Sequence, residues 1–405
     1  MVLSALNGIR VIDMSAVLMG PLSGRILGDM GADVIKVESL DGDSVRAIGP
    51  MRRPGMGPFF MNANRNKRGL ALDLKSEQGK EVLRRLIKTA DILIYNARPQ
   101  AMARLGFDYA ACRALNPGLV YVGAFGFGQD GPYAARPAYD DLIQGLSGIP
   151  SLIGRAGDHA PQYVPLAIVD RFVGVSVVNA ILGALVHKLR TGQGQSVDVP
   201  MFETMADVVL SDHSSGATFD PPLGPIGYPR SLAKERRPFK TRDGYICVML
   251  YLDSQWKAFF KLIGSDRGET DPRFASITTR TVHASEVHQI LEQHLLERTT
   301  GEWLRDLQQQ DIPAVPMHTL ETLVEDPHLK AVGFFEQRDH PSQGRIRTQR
   351  HATRWSETPL VNDRHAPALG QHSREVLAEA GYSDAEIDAL FRAGVTRSQP
   401  ETPQD

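Results

Sequence analysis

The sequence predicts an α/β protein built on a parallel sheet, with a second, smaller domain following it. Two observations carry this. Up to about Asp130, short apolar strands alternate with segments whose apolar residues recur at helical spacing. Strands separated by helices pair in parallel through right-handed crossovers. Around Asp220 to Lys240 the texture changes, and Pro221, Pro222, Pro225, Pro229 and Pro238 crowd one stretch. That stretch reads as a linker into the smaller domain.

Arg10 to Met14 is a short apolar strand. Leu22, Ile26, Leu27 and Met30 follow at helical spacing until Gly31 stops the helix. Asp33 to Glu38 is the second strand, and Gly69 to Lys75 alternates as a third. Ser76 caps a helix whose inward face is Val82, Leu83, Leu86, Ile87 and Ala90. Asp91 to Asn96 and Leu119 to Phe125 are further strands. Pro161 to Asp170 leads into an apolar core helix, Phe172 to Leu189. Thr191 to Gln195 is a glycine turn before the strand Ser196 to Pro200. The smaller domain holds a strand at Gly244 to Leu250, a helix at Trp256 to Ile263 and further helices to about Glu325. Phe334 to Trp355 is β-rich. Helices at Ser373 to Ala380 and Asp384 to Ala393 precede a polar tail of disordered composition.

The 405 residues suffice for two domains and a large core, and a net charge of −2 gives no sign of a polyanionic partner such as nucleic acid. The two cysteines, Cys112 and Cys247, exclude a disulfide scaffold and a cysteine-rich metal site. They fit a reducing compartment, and a cytoplasmic protein is expected. Met1 to Asn7 is too short and mixed for a secretory signal. The longest apolar stretch, Phe172 to Val186, falls short of the ~20 residues of a membrane span and carries Ser176 and Asn179. A buried core helix is expected there, and no membrane partner.

Gly126-Phe127-Gly128-Gln129-Asp130-Gly131 is a literal G-x-G-x-x-G after a strand. A dinucleotide site needs a helix to start at the glycines, but Pro132 follows, Pro137 blocks continuation, and the strand is the fifth rather than the first. The segment reads as a glycine loop beside a ligand. In Asn64-Arg65-Asn66-Lys67-Arg68, three cations in four residues fit either a phosphate grip or a solvated charged face. Arg98 and Arg104 lie just past the strand Asp91 to Asn96, and Lys75 and Asn96 occupy the same edge. Ligands of parallel sheets bind at the carboxyl ends of strands. These residues suggest a site for an anionic, phosphate-bearing ligand, with surface charge as the alternative. Twelve histidines form no H-E-x-x-H pattern, and neither a G-x-S-x-G elbow nor a Walker loop is present. No metal site is expected.

Asp170 ends Val164-Pro165-Leu166-Ala167-Ile168-Val169-Asp170, directly before the apolar helix. A carboxylate there is partly desolvated and faces the positive end of the helix dipole. Ionised at neutral pH, it would serve as a covalent nucleophile without a base. The commoner reading of the segment alone is an N-cap aspartate.

A run of ordered motifs then resembles the class III CoA-transferases, the CaiB/BaiF family of formyl-CoA and carnitine CoA-transferases. The run opens with Leu6-Asn7-Gly8-Ile9-Arg10-Val11-Ile12-Asp13, Gly20-Pro21 and Gly31-Ala32-Asp33-Val34-Ile35-Lys36-Val37-Glu38. It continues through Asn64 to Arg68, Gly131-Pro132-Tyr133, Tyr139-Asp140, the Asp170 segment and Thr191 to Val199. It ends with Ile312-Pro313-Ala314-Val315-Pro316, Asp326-Pro327 and Ala368 to Leu377. The resemblance covers nearly the whole chain. It implies a Rossmann-like large domain formed by both chain ends (1–220 and 331–405), a smaller inserted α+β domain (221–330 with its linker), and an interlocked homodimer. It implies that Asp170 is catalytic and attacks an acyl-CoA thioester, giving a mixed anhydride and then an aspartyl-CoA thioester. It implies that CoA, a substrate rather than a resident cofactor, lies on Leu18, Met19, Leu72, Asp73, Leu74, Lys75, Asn96, Ala97, Arg98, Arg104, Arg136, Pro137, Ala138 and Tyr139. Arg98 and Arg104 would hold its phosphates. An acyl-CoA and a carboxylic acid are the implied partners.

Two alternatives stand beside CoA transfer. A 2-methylacyl-CoA racemase of this family would carry His where this chain has Tyr139, and tyrosine, with an ordinary pKa of about 10, is a poor proton carrier near neutrality. A catalytically inactive CoA-ester binder has no need of Asp170. Ala16 and Leu18 stand where formyl-CoA transferases carry His and Gln, which points away from formate and oxalate; dicarboxylate-using relatives often carry Arg in place of Ala16, which leaves a succinate-type acceptor open but without support from this position. Ser39 after Glu38 replaces an arginine through which some relatives contact CoA. The apolar Leu18-Met19 pair points to a larger or less polar acyl group.

Overall fold

The structure, a computed structural model, describes residues 4–157 and 159–398. Its strands in chain order are β1 (Arg10–Asp13), β2 (Asp33–Glu38), β3 (Lys67–Leu72), β4 (Ile92–Tyr95), β5 (Val120–Phe125) and β6 (Ser196–Pro200), then β7 (Phe239–Lys240), β8 (Tyr245–Val248), β9 (Ala314–Pro316), β10 (Phe335–His340), β11 (Gly344–Gln349) and β12 (Thr396–Arg397). The helices up to residue 213 are α1 (Met19–Asp29), α2 (Pro58–Asn64), α3 (Glu77–Thr89), α4 (Pro99–Leu105), α5 (Tyr109–Leu115), α6 (Asp140–Leu146), α7 (Ile149–Gly157), α8 (Ile168–Thr191) and α9 (Met201–His213).

The chain divides into two compact units. The first comprises Met1–Ile143, Leu166–Met205 and His328–Asp405. Its seven-stranded sheet has the order β12-β3-β2-β1-β4-β5-β6. Every pairing is parallel except the short β12 on β3. Among the six parallel strands the order 3-2-1-4-5-6 is that of the doubly wound dinucleotide fold. The strands read as continuous apolar runs because both faces are covered. On one face Ile12, Ile35, Leu70 and Leu93 pack with Val82, Leu83, Leu86 and Ile87 of α3. Val376, Leu377, Ile387 and Leu390 of the late helices Ser373–Glu379 and Asp384–Arg392 join the same core, so both ends of the chain build this unit. Ser76 caps α3 as expected, its Oγ accepting the Gly79 N–H at 3.0 Å. The polar tail expected to be disordered, beyond residue 398, lies outside the described residues.

Helix α8 begins at Ile168, ahead of the expected Phe172, and ends at Gly192 in the left-handed region (φ 74°). At 24 residues it is long and apolar enough by composition to cross a membrane, unlike the shorter run read from sequence. Here it is packed on the sheet and α1: Val173, Val177, Val178, Ile181 and Leu185 are buried in the unit. Gly174 lies against the Met19 carbonyl, and Ser23 Oγ donates to the Gly174 carbonyl at 2.9 Å. Phe172, Val175, Val186 and Leu189 face outward and are exposed.

The basic segment after α2 fits neither reading offered by its sequence. Arg65 pairs with Asp29 (3.1 Å), and Lys67 is fully buried on Asp13 (2.7 Å). Arg68 bridges Asp33, Glu375 and Glu379 at 2.6 to 2.8 Å. These cations are structural: each is desolvated and matched by carboxylates that come from distant parts of the sequence.

The second unit comprises Gln144–Pro165 and Ala206–Pro327. It holds the antiparallel sheet β7-β8-β9 over an aromatic core of Trp256, Phe259, Phe260, Phe274 and Trp303. Its main segment starts at 206 rather than 221, and it also takes in residues 144–165. The boundaries at 143 and 205 fall inside α6 and α9, so no break in composition marks them.

Candidate active site

In a doubly wound sheet, the crevice opens at the carboxyl edge where the strand order reverses. Here that point lies between β1 and β4. The chain leaving β1, Met14 to Leu18, is tied to the chain leaving β4 by Asn96. Its Oδ1 accepts the Ala16 N–H at 2.9 Å and its Nδ2 donates to the Ala16 carbonyl at 2.7 Å. Val17 sits at φ 73°, a region that β-branched residues rarely occupy. Its N–H donates to both carboxylate oxygens of Asp43, at 3.2 and 3.1 Å. Gly20 opens α1 against Ser15, where any Cβ would collide with the serine side chain.

Buried ions hold this turn from beneath. Lys36, fully buried, donates to the Ser15 carbonyl (3.0 Å) and to Asp43 (3.2 Å). Asp13, also fully buried, accepts from Lys67 and from the Ser15 N–H at 3.0 Å. Burial alone would raise the Asp13 carboxyl, but Lys67 and Lys36 outweigh it and hold it below its usual range. Glu38 accepts two bonds from Arg46, at 2.8 and 2.6 Å, and the Asp43 N–H at 2.9 Å. The acid that ends β2 is thus spent on the scaffold.

The expected ligand residues spread along the same carboxyl edge. Leu18 is the N-cap of α1 and Met19 its first residue, both buried. Leu72 ends β3, and Asp73 turns back to accept the Lys75 N–H at 3.0 Å beside Leu74. Asn96 and Ala97 leave β4, Arg98 is the N-cap of α4, and Arg104 lies in its last turn. Lys75, Arg98 and Arg104 are exposed and have no carboxylate partner among the described residues. From β3 to β4 is three strand spacings, about 14 Å, so these cations suit an extended ligand rather than one phosphate.

Beyond β5, the glycine loop opens no helix. Gly126 lies so close to Ala138 that a Cβ would collide with it. Phe127 packs on Tyr133 and Phe202, and the Arg136 guanidinium stacks 3.9 Å from the Tyr133 ring centre. Pro137 and Tyr139 are exposed, Tyr139 by 66%.

Asp170 is the third residue of α8 and not its cap; the N-cap is Ala167, which makes no side-chain capping bond. The Asp170 N–H donates to Oδ2 of Asp140 at 2.9 Å, which places two carboxylates side by side. Burial and then the Asp140 charge push the Asp170 carboxyl up to about 6, against the opposing pull of Arg171. Because Gly174, one turn later, rests on Met19, the first turns of α8 and α1 meet here. A cavity of about 120 Å³ beside them is lined by Leu18, Leu22, Phe59, Ala63 and Arg171. The structure therefore brings Asp170 together with Leu18, Met19 and the loop through Tyr139. Leu72 to Lys75 and Arg104 lie further along the edge.

Sequence reasoning missed Asp140 as the neighbour of Asp170, Asp43 beneath Val17, and Arg171. Asp13 and Lys36, charged residues inside apolar strands, were the visible signals of the buried network.

Comparison with known proteins identifies the family. Residues 6–373 fit the family described as CoA-transferase family III. A succinate–glutarate CoA-transferase of Agrobacterium fabrum is 34% identical over 92% of this chain and 95% of its own. A formyl-CoA:oxalate CoA-transferase of Streptomyces coelicolor is 33% identical over 98% of this chain and 100% of its own. The crystal structure of a CaiB/BaiF family protein from Brucella suis superposes with a TM-score of 0.77 at 33% identity, covering 93% of this chain and 99% of that one. The chain belongs to CoA-transferase family III. It is an enzyme of the CoA-transferase class, acting on acyl-CoA and carboxylic acid substrates.

Proposed function

We propose that the protein transfers CoA between carboxylic acids through covalent intermediates on Asp170. The observation that carries this is the half-buried Asp170 carboxylate beside Asp140, at the switch-point edge of the sheet. With a pKa of about 6, roughly nine-tenths of it is ionised at pH 7. It is also less solvated than a free carboxylate and needs no base. An Asp170 oxygen attacks the thioester carbonyl; the C–O bond forms, the C–S bond breaks, and CoA thiolate leaves a mixed anhydride. The thiolate then attacks the aspartyl carbonyl carbon, releasing the donor acid and forming aspartyl-CoA. The acceptor carboxylate attacks that thioester, the thiolate leaves again, and its attack on the acceptor carbonyl yields the new acyl-CoA and free Asp170. No net proton is consumed.

CoA would extend along the carboxyl edge, its phosphates on Arg98, Arg104 and Lys75 and its thioester end over Leu18 and Met19, with Asn96, Ala97, Leu72 to Leu74 and Arg136 to Tyr139 lining the path. No resident cofactor enters. The cavity of Leu18, Leu22, Phe59 and Arg171 suits a short dicarboxylate, methylenes on the apolar walls and the far carboxylate on Arg171. The family likeness and the exposed apolar side of α8 support a homodimer.

Intact-mass spectrometry after mixing the protein with succinyl-CoA tests the mechanism. A CoA-sized adduct that maps to Asp170 and is absent in Asp170→Asn is expected. CoA binding with no adduct from any of a panel of acyl-CoAs would remove the mechanism.

A further inference from the structure

A second cavity, of about 280 Å³, lies in the first unit between α2 and the hairpin β10–β11, and adjoins the smaller cavity near Asp170 at Pro58 and Asn62 of α2. Its wall carries Arg65, Arg338, Arg347, Arg364, His340 and His365, and no Asp or Glu lines it. Arg65 is committed to Asp29. Arg338 and Arg364 have no carboxylate partner among the described residues; Arg338 reaches only the Asp363 carbonyl, at 3.4 Å. The Arg347 guanidinium lies flat on the Phe335 ring, 4.0 Å from its centre.

His340 shows what this cavity lacks. The residue is 93% buried, with 7% of its surface exposed. Its Nδ1 faces the backbone N–H groups of Ser342 (3.2 Å) and Gln343 (3.3 Å). Backbone N–H groups only donate, so Nδ1 is the acceptor and the neutral ring carries its proton on Nε2. That Nε2 is buried and has no protein partner. A second buried donor, the Thr348 hydroxyl, lines the cavity and is likewise unpaired. Buried polar groups without partners are costly, and here two donors and the Asn362 Oδ1 acceptor share a wall with several arginines. The ring stays neutral because burial, the neighbouring His365 and Arg338 all disfavour its charged form.

We propose that this cavity binds a small organic oxyanion, whose carboxylate or phosphate oxygens accept from His340 Nε2, the Thr348 hydroxyl and the guanidinium groups of Arg338 and Arg364. The volume admits a small metabolite as well as a bare ion. The site stands apart from the cations proposed to hold the CoA phosphates, since neither Arg98 nor Arg104 lines it.

Calorimetric titration of the full chain with inorganic phosphate and, separately, with citrate tests this at low ionic strength. At least one probe is expected to bind with Kd below about 1 mM. Phosphate alone assigns a phosphoryl ligand, and citrate alone a carboxylate one. The double variant Arg338→Ala/Arg364→Ala removes the two guanidinium groups the ligand would engage, and should weaken binding roughly ten-fold or more. Thr348→Val should weaken it a few-fold, as a seated ligand requires and diffuse attraction does not. Arg98→Ala/Arg104→Ala should leave it unchanged. The proposal fails if neither probe binds, if binding survives the double variant or is indifferent to Thr348→Val, or if it is lost only with Arg98 and Arg104.

Discussion

Asp13 and Asp170 are carboxylates of one unit with opposite surroundings. Asp13 is fully buried, meets Lys67 at 2.7 Å, and is held below its usual range. Asp170 is half-buried, lies beside the Asp140 carboxylate with only a partial counterweight from Arg171, and is pushed up to about 6. The first arrangement stabilises the charge it buries. The second leaves a charge under-solvated beside another of the same sign, which costs folding free energy and raises reactivity. A protein keeps such a group where chemistry needs it.

The contrast breaks most visibly at Asp170. Asp170→Asn should lower transfer by at least about a thousand-fold, since it removes the carboxylate that the proposed mechanism uses as nucleophile. The same change should stabilise the fold at pH 7. A carboxyl whose folded pKa is raised favours the folded state only when protonated. Its cost is absent below its ordinary value of 3.8, grows as pH rises and is complete above about 6. Allowing for its partial exposure, the gain at pH 7 is about 1–2 kcal/mol, shrinking to nothing near pH 3.5. Denaturant melts at both pH values measure it. Equal or lower stability of Asp170→Asn at pH 7 would show that the site carries no such cost.

The opposite sign is expected at the buried pair. Lys67→Met strands Asp13 without its cation and should cost about 3–5 kcal/mol. The damage should extend to catalysis in any protein that still folds, because Asp13 also holds Ser15 and, through it, the turn carrying Val17 and Leu18. Chemical denaturation together with kcat/KM reads both. A variant of unchanged stability would mean that this ion pair is ornamental to the fold.

These two sites were unequally legible in the sequence. The strand–helix alternation gave the parallel sheet, with β2 and β6 at their expected ends, because fully buried strands and one-faced helices leave periodic apolar patterns. Asp170 stood out because an acid beside a long apolar run is conspicuous. Its pairing with Asp140, 30 residues earlier, is a tertiary contact that no local pattern encodes. For the same reason Lys67 and Arg68 offered two readings and took neither, since their partners Asp13, Asp33 and Glu379 come from distant segments. Boundaries inside α6 and α9 were equally hidden, because a helix that passes from one unit to the next needs no break in composition.

The finest test of the contrast is Asp140→Asn, which removes the like charge while keeping a side-chain oxygen that can accept the Asp170 N–H. Two causes raise Asp170, with burial the larger, so the substitution should relieve only part of the shift. The proposed mechanism requires the ionised carboxylate, so activity is expected to fall as pH drops through its pKa. The acidic limb of kcat/KM should therefore move down from about 6 by roughly one unit or less, with the neutral-pH plateau little changed. A limb that stays put would assign the raised pKa to burial alone and reduce Asp140 to a backbone acceptor. A limb that falls to the ordinary carboxylate range would instead make Asp140 the principal cause, and Asp170 far better solvated than its place on α8 indicates.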